Sequence, residues 1–476
     1  MPSPSRPRRT KIVATIGPAS ASPAVLRALF EAGLNMARVT MAHGTVDSQK
    51  ALIAAIRREA DAAGAPVGIL VDLPGPKVRT TGFLTDVTLQ PDDVVQLVAG
   101  QDQPSTAERF VVDYPPLVDD LQPGDLIGIG DGAVRLRVDA KSSASLGATI
   151  TSGGHLSGRK GVRIPAARYR PDVPTTHDLE LIEALRDSPV DVIAVSFVTS
   201  PADMIAVRTA VGPQAPWLMA KIETAAAIDH LAGIIDVPDA VMVARGDLGN
   251  ELPIEEVPHL QKRIIRETVR KFKPVLVATQ MLESMIESPM PTRAEATDVA
   301  NAVLDHTSAV MLSAETAVGR DPVNVVQTMA RLLVRAEQEV DPVHLRALAF
   351  ENRDLSDVNL ATAHAAWQAA EDLRAAAILC CTRTGATARK MASLRPLAPL
   401  YGLTADPRAL RQLSLCWGVQ AILLPQPASS TEDVMRVAIE EAKTRGLVTQ
   451  GDIVVVLAGS PDAGPGHTDS VRVAVV

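Results

Sequence analysis

The sequence predicts an α/β protein: a (β/α)₈ barrel, interrupted by a small β domain and followed by a second α/β unit. Three observations predict it. From Lys11 to about Val340, short apolar runs rich in β-formers alternate with amphipathic helical stretches. Between Gly82 and about Pro165 the helical period vanishes. Beyond Val340 the strand–helix alternation resumes.

The barrel rests on eight runs, at 12–16, 35–41, 67–73, 191–197, 217–222, 240–244, 274–279 and 308–313. Helical candidates at 23–32, 46–63 and 292–304 lie between them. Strands that read as continuous apolar runs are buried on both faces, because helices cover both sides of a parallel sheet. Eight such units in series close into a barrel. An open doubly wound sheet is the rival, but it calls for a glycine fingerprint after the first strand. Gly17-Pro18-Ala19-Ser20 is not one.

The insertion shows β-type runs at 94–98, 126–129 and 134–138. Turn formers punctuate them: Gln122-Pro123-Gly124-Asp125, Gly130-Asp131-Gly132 and Gly153-Gly154. Placed after strand three, it rises from the face where barrel active sites lie. The terminal unit has strand runs at 376–382, 398–403, 421–424, 452–458 and 471–475, with helices at 386–393 and 431–445. The expected domains are a flexible tail over 1–10, the barrel over 11–82 and 166–341, a β lid over 83–165, and the terminal α/β domain over 342–476.

Bulk properties exclude several classes. A chain of 476 residues exceeds one ordinary core. With 46% hydrophobic and 21% charged residues it is globular rather than disordered. A net charge of -8 argues against nucleic-acid binding, so any anionic ligand needs a local cluster of cations. Cys380, Cys381 and Cys416 are an odd set, two of them adjacent on an apolar run, which fits buried thiols in a reducing, cytoplasmic setting. No run of about 18 apolar residues predicts a membrane span. The first nine residues lack the apolar region of a secretory signal.

The chemistry gathers at strand ends. Lys221 and Glu223 end strand five; Arg245, Gly246 and Asp247 end strand six. Thr279 and Gln280 end strand seven, and Ser313 and Glu315 end strand eight. Arg38 lies on strand two, while Asp72 and Arg79 end or follow strand three. Polar tips on otherwise apolar strands would meet at one rim, a pattern that core packing does not explain. Glu223 and Asp247 suit Mg²⁺, which takes one or two carboxylates plus substrate oxygens. Lys221 and Arg38 add the positive charge that a transferring phosphoryl group needs. The plainer account of Glu223 is a salt bridge to Lys221.

Six stretches then make the chain resemble pyruvate kinase. They are Thr10-Lys11-Ile12-Val13-Ala14-Thr15-Ile16-Gly17-Pro18-Ala19-Ser20, Met219-Ala220-Lys221-Ile222-Glu223, Met242-Val243-Ala244-Arg245-Gly246-Asp247-Leu248-Gly249, Ala278-Thr279-Gln280-Met281-Leu282-Glu283-Ser284-Met285, Pro291-Thr292-Arg293-Ala294-Glu295-Ala296-Thr297-Asp298-Val299-Ala300-Asn301, and Met311-Leu312-Ser313-Ala314-Glu315-Thr316-Ala317. The resemblance implies transfer from phosphoenolpyruvate to ADP, giving pyruvate and ATP, with Mg²⁺ or Mn²⁺ as cofactor. It implies that Glu223 and Asp247 hold the metal and that Lys221 neutralises the moving group. Gly246, Asp247 and Thr279 would bind the carboxylate, with Thr279 and Ser313 on the proton path. Arg38 would grip the phosphate. Arg79, His43 and Lys160 would face the nucleotide, and Asp131 would act in lid closure. A homotetramer is implied as well.

Departures from the family pattern carry information. The usual Arg-Leu-Asn-Phe-Ser-His-Gly reads Arg38-Val39-Thr40-Met41-Ala42-His43-Gly44 here, which removes the Asn and Ser ligands of an activating K⁺. Lys77 occupies a slot usually held by Glu, and relatives with Lys there do not need K⁺. A tethered ammonium supplies the charge that the ion otherwise brings, so K⁺-independent activity is expected. Thr40, Pro74 and Ala314 are further departures near the site. In the terminal domain Thr382-Arg383-Thr384-Gly385-Ala386-Thr387 lies between a strand and a helix. The resemblance implies a sugar-phosphate or nucleotide effector there; an ordinary helix cap is the alternative. Functional rivals are a metal-dependent aldolase or lyase, a phosphotransferase with shifted substrate, and a catalytically weak effector-binding homologue.

Overall fold

Ile12 and Ala14 belong to one core and Val13 to another, and that alternation along a single strand is the plan of the barrel. The computed structural model describes residues 7–130, 132–165, 168, 172–212, 216–341, 357–425, 430–459 and 467–476. Strands β1 (Lys11–Thr15), β2 (Met36–Thr40), β3 (Gly68–Asp72), β4 (Val192–Val195), β5 (Trp217–Ile222), β6 (Ala240–Ala244), β7 (Val275–Ala278) and β8 (Ala309–Leu312) pair in chain order. β8 returns to β1 in parallel, with Lys11 opposite Ala309, and closes the ring. All eight expected runs form barrel strands.

Outward-facing residues such as Ile12, Val39, Val71 and Val243 pack under the surrounding helices. Those helices start at side-chain caps: Ser22 for Pro23–Glu31, Thr45 for Val46–Ala62 and Thr292, in a capping box with Glu295, for Arg293–Leu304. Inward-facing Val13, Met36, Leu70, Met219, Met242 and Met311 fill the barrel.

The barrel core does not stop at its N-terminal face. It runs on into the terminal domain through Trp217, Leu413, Leu415 and Cys416. That domain is a sheet of β9 (Ala377–Cys381), β10 (Leu400–Thr404), β11 (Val419–Leu423), β12 (Ile453–Ala458) and β13 (Ser470–Val475) in the order β11-β10-β9-β12-β13. Only β13 runs antiparallel to its neighbour. All three cysteines are buried free thiols. Among the described residues no helix is long and apolar enough to cross a membrane.

Asp191, fully buried just before β4, locks the two domains together. Its carboxylate accepts Arg57 Nη2 at 2.7 Å, the Ile69 amide at 2.9 Å and, from the terminal domain, Arg411 Nε at 2.8 Å. Gln412 Nε2 donates to its carbonyl at 3.1 Å. Removing one partner of such a buried pair costs about 3–5 kcal/mol, because the remaining charge stays buried and unpaired.

At the opposite rim the chain leaves β3 to build the lid. Its six-stranded sheet orders Val162–Arg163, Leu126–Ile129, Val134–Lys141, Leu146–Ser152, Val94–Ala99 and Arg109–Val112. Val87–Leu89 pairs separately with Gly154–Leu156. The lid has its own core, in which Phe83 meets Phe110 edge-on with ring centroids 5.3 Å apart.

One expectation needs correction. The tail over 1–10 is not free throughout: Arg8 Nη2 donates to Asn35 Oδ1 at 2.8 Å, and Arg9 Nη1 donates to the Pro396 carbonyl at 2.6 Å. Arg9 also stacks over Trp417, 5.1 Å from the ring centroid. Arginine-rich composition reads as solvated, but here the guanidiniums find carbonyls at a domain junction. Residues 1–6 lie outside the described ones.

Lys11 continues this strap. Its buried Nζ donates to the Val419 carbonyl at 2.6 Å. Burial, with Arg8 nearby, lowers its ammonium from the ordinary 10.5 to about 8. Below that value the folded chain carries the cost of a buried charge. Between pH 8 and 10.5 the folded state has released a proton that the unfolded state still holds, so stability attributable to Lys11 rises with pH. Melting curves from pH 7.5 to 10 should show this rise in the wild type and a flatter profile in Lys11→Met.

Candidate active site

The C-terminal ends of β1 to β5 bring five polar side chains, Thr15, Arg38, Asp72, Ser196 and Lys221, into one hydrogen-bonded chain, with Glu223 ion-paired at its end. Thr15 Oγ1, at the end of β1, donates to the Leu312 carbonyl at 3.0 Å and accepts Arg38 Nη1 at 2.9 Å. Arg38 Nε and Nη2 grip Asp72 Oδ2 at 2.8 and 2.6 Å. Asp72 Oδ1 faces Lys221 Nζ at 3.3 Å, and the same ammonium lies 3.4 Å from Glu223 Oε2. Its shortest contact is Ser196 Oγ, at 2.6 Å.

Electrostatics follow from that placement. Burial alone would lower the Lys221 ammonium, but the carboxylates of Asp72, Glu223 and Asp247 outweigh it and raise it to about 12. Burial likewise opposes ionisation of Asp72, yet Lys221 and Arg38 hold its carboxyl below the ordinary value. Glu223 is the opposite case. Burial pushes its carboxyl up to about 7, with Lys221 opposing and Asp247 adding to the rise. Its Oε1 accepts the Phe197 amide at 2.6 Å. Its Oε2 is buried with no hydrogen-bond donor. An acceptor oxygen left this way, beside a second carboxylate, fits a divalent cation, so Glu223 and Asp247 could hold Mg²⁺ or Mn²⁺.

Comparison with known proteins shows the family. The family model for the pyruvate kinase barrel domain matches residues 7–326, and the model for the pyruvate kinase alpha/beta domain matches residues 360–474. The chain belongs to the pyruvate kinase family. It is 39% identical over 469 residues to the pyruvate kinase of Mycobacterium intracellulare, covering 98% of each chain. It is 40% identical over 479 residues to pyruvate kinase 2 of a Synechocystis strain, covering 99% of this chain and 80% of that one. With the pyruvate kinase of Clostridium acetobutylicum identity is 36% over 477 residues, 98% of this chain and all of that one.

The remaining expected site positions divide in two. Gly246 and Thr279 meet: the Gly246 amide donates to Thr279 Oγ1 at 2.8 Å. Thr279 has φ +70°, a conformation that a β-branched residue adopts at a cost of about 1–3 kcal/mol. Arg245 holds it there, donating Nη2 to the Thr279 carbonyl at 2.7 Å while Nη1 pairs with Asp298 at 2.7 Å. Arg245 is thus a strut rather than a free cation. Glu315 is also internal. It accepts the Leu282 and Ser313 amides at 3.1 and 2.6 Å and so sets the turn that carries Ser313. Lys77 Nζ lies 3.8 Å from Asp247 Oδ1.

A cleft of about 830 Å³ opens between the rim and the lid, lined among others by Lys77, Arg163, Phe197, Asp247 and Glu251. His43, Arg79 and Lys160 are not among its lining residues. Arg79 forms an isolated bridge with Gly161 and the Lys160 carbonyl accepts the Thr80 amide, so these two cations lie on neighbouring segments outside the strands. His43 is exposed on the loop after β2, where its carbonyl accepts Gln49 Nε2 at 2.7 Å. Asp131 lies outside the described residues. In the terminal domain Arg383 and Thr384 are exposed and Thr382 is half-buried. Gly385, at φ +82°, starts the helix Ala386–Ser393, and Thr387 is turned inward, its Oγ1 2.6 Å from Thr468 Oγ1.

Two residues were missing from the expected set. Ser196 and Phe197 end the β4 run and hold Lys221 and Glu223 respectively. The signal was a lone serine at the tip of an apolar strand, the pattern already noted at β5 to β8.

Glu223→Gln retains an oxygen for the Phe197 amide but removes the buried charge. Mn²⁺ binding followed by electron paramagnetic resonance should weaken by at least about tenfold, with no fall in melting temperature. Wild-type Mn²⁺ affinity would contradict a metal role for Glu223.

Proposed function

We propose that this chain carries a phosphoryl group from phosphoenolpyruvate to ADP, giving pyruvate and ATP, the last step of glycolysis, with Mg²⁺ as cofactor. The observation that carries the reading is a fully charged, buried Lys221 beside a Glu223 oxygen that lacks a donor. Phosphoryl transfer needs little covalent help from the protein; positioning and charge do the work. The metal, held by Glu223 and Asp247, would supply Lewis acidity to substrate oxygens. Lys221 would offset charge on the moving group, and Arg38, steadied by Asp72, would hold the phosphate. The Gly246 and Asp247 amides with the Thr279 hydroxyl would receive the carboxylate. A Cβ at Gly246 would rest 3.4 Å from Thr279 Oγ1, an ordinary contact, so packing alone does not demand glycine there. Thr279 and Ser313 would line the proton path, while Arg79, His43 and Lys160 would face the nucleotide from the lid side.

The same reading includes activity without K⁺. The Lys77 ammonium already stands beside Asp247, and Thr40 Oγ1 is occupied by the Ala42 amide at 3.3 Å. It also includes a cytoplasmic homotetramer and an effector site at Thr382, Arg383, Thr384, Gly385 and Thr387. The inward pairing of Thr387 with Thr468 would leave the exposed Arg383 and Thr384 as the ligand contacts there.

A coupled pyruvate assay in tetramethylammonium buffer tests these points together. Pyruvate should form only with both ADP and Mg²⁺, and KCl should raise the rate less than about tenfold, since Lys77 already supplies the charge. ADP-independent pyruvate would favour a lyase, and no product with any nucleoside diphosphate would favour an effector-binding homologue. Stronger KCl activation would exclude the lysine surrogate. A flat response to sugar phosphates and nucleoside monophosphates would remove the effector site.

A further inference from the structure

We propose that Ser196 is a positioning residue for phosphoryl transfer: its hydroxyl oxygen, oriented by the Leu73 carbonyl, aims the Lys221 ammonium. The inference rests on the phosphotransfer reading of this site. β4 lies between β3, which carries Asp72, and β5, which carries Lys221. Val195 pairs with Ala220, so Ser196 and Lys221 face each other one residue beyond the ladder.

An ammonium has three N–H groups, and three acceptors surround this one. Asp72 Oδ1 at 3.3 Å and Glu223 Oε2 at 3.4 Å are ion pairs beyond ordinary hydrogen-bond length. Ser196 Oγ at 2.6 Å is the short, directional contact. The two carboxylates therefore set the charge of Lys221, and the hydroxyl sets its direction. Ser196 has one proton to give, and the Leu73 carbonyl at 2.7 Å takes it in preference to Asp72 Oδ1 at 3.3 Å. Its lone pairs are thereby left for Lys221. The hydroxyl is also the partner that can yield when a phosphoryl oxygen arrives. Surrendering a carboxylate contact would leave a buried anion short of its cation, whereas Ser196 keeps its bond to Leu73.

Three variants test the assignment. Ser196→Ala removes the acceptor, Ser196→Cys replaces it with a weak one of similar size, and Ser196→Thr restores a hydroxyl. Displacing a catalytic group by about 1 Å costs on the order of 10²-fold in rate. Ala and Cys should lose kcat on that scale, with KM for phosphoenolpyruvate and Mn²⁺ affinity changed by less than about threefold, and Thr should recover most of kcat. Wild-type kcat in Ala or Cys overturns the inference. So does a kcat loss that tracks lost melting temperature, which is what satisfying the Leu73 carbonyl alone would produce. A crystal structure of Ser196→Ala separates this inference from the reaction itself. Lys221 Nζ should leave its place between Asp72 and Glu223, and an unmoved Nζ sinks the inference even if the wild type makes no pyruvate.

Discussion

A buried ammonium held among carboxylates is the interaction on which the rest of this structure depends. Lys221 stays charged inside a protein only because Asp72 and Glu223 lie within 3.4 Å. Those carboxylates are tolerable only because Arg38, Ser196 and the Phe197 amide hold them in turn. The members come from four strands and the turns beyond them: Arg38 from β2, Asp72 from β3, Ser196 and Phe197 from β4, Lys221 and Glu223 from β5. The network therefore exists only if β2, β3, β4 and β5 are adjacent, parallel and in register, which is what barrel closure enforces. Eight apolar strands provide the rigidity, and the polar tips use it.

β4 shows how far that rigidity extends. Asp191 at its lower end is clamped by Arg57 and by Arg411 of the terminal domain. Ser196 and Phe197 at its upper end hold the lysine and the glutamate. One short strand thus joins the docking of the terminal domain to the geometry of the rim. The lid, by contrast, has a separate core, and the segments that carry Arg79 and Lys160 meet through an isolated bridge between Arg79 and Gly161.

Much of this was legible in the sequence because the signals were periodic. Buried parallel strands read as apolar runs, and all eight barrel strands fell where such runs lay. Lys221, Glu223, Asp247 and Thr279 stood out as polar residues on apolar strand ends. Ser196 did not, since Phe197 and Val198 follow it and no second polar residue marks that strand end, as Gln280 does beside Thr279. Asp72 was placed at the rim, but its pairing with Arg38 and Lys221 depends on three strands being neighbours, which no single stretch encodes. Glu315 and Arg245 looked like rim charges and proved to brace turns, because local sequence does not tell which amide a carboxylate will meet. The strap was hidden for the same reason: the carbonyl partners of Arg9 and Lys11, at Pro396 and Val419, lie hundreds of residues away in the chain.

The central claim is that a divalent ion sits between Glu223 and Asp247 with the Lys221 ammonium at its side. Anomalous diffraction from crystals soaked in Mn²⁺ and oxalate tests it most directly. The account predicts one strong peak bonded to carboxylate oxygens of both Glu223 and Asp247, with Lys221 Nζ in hydrogen-bond reach of the oxalate. A peak that engages neither carboxylate, or none at the rim, would contradict it.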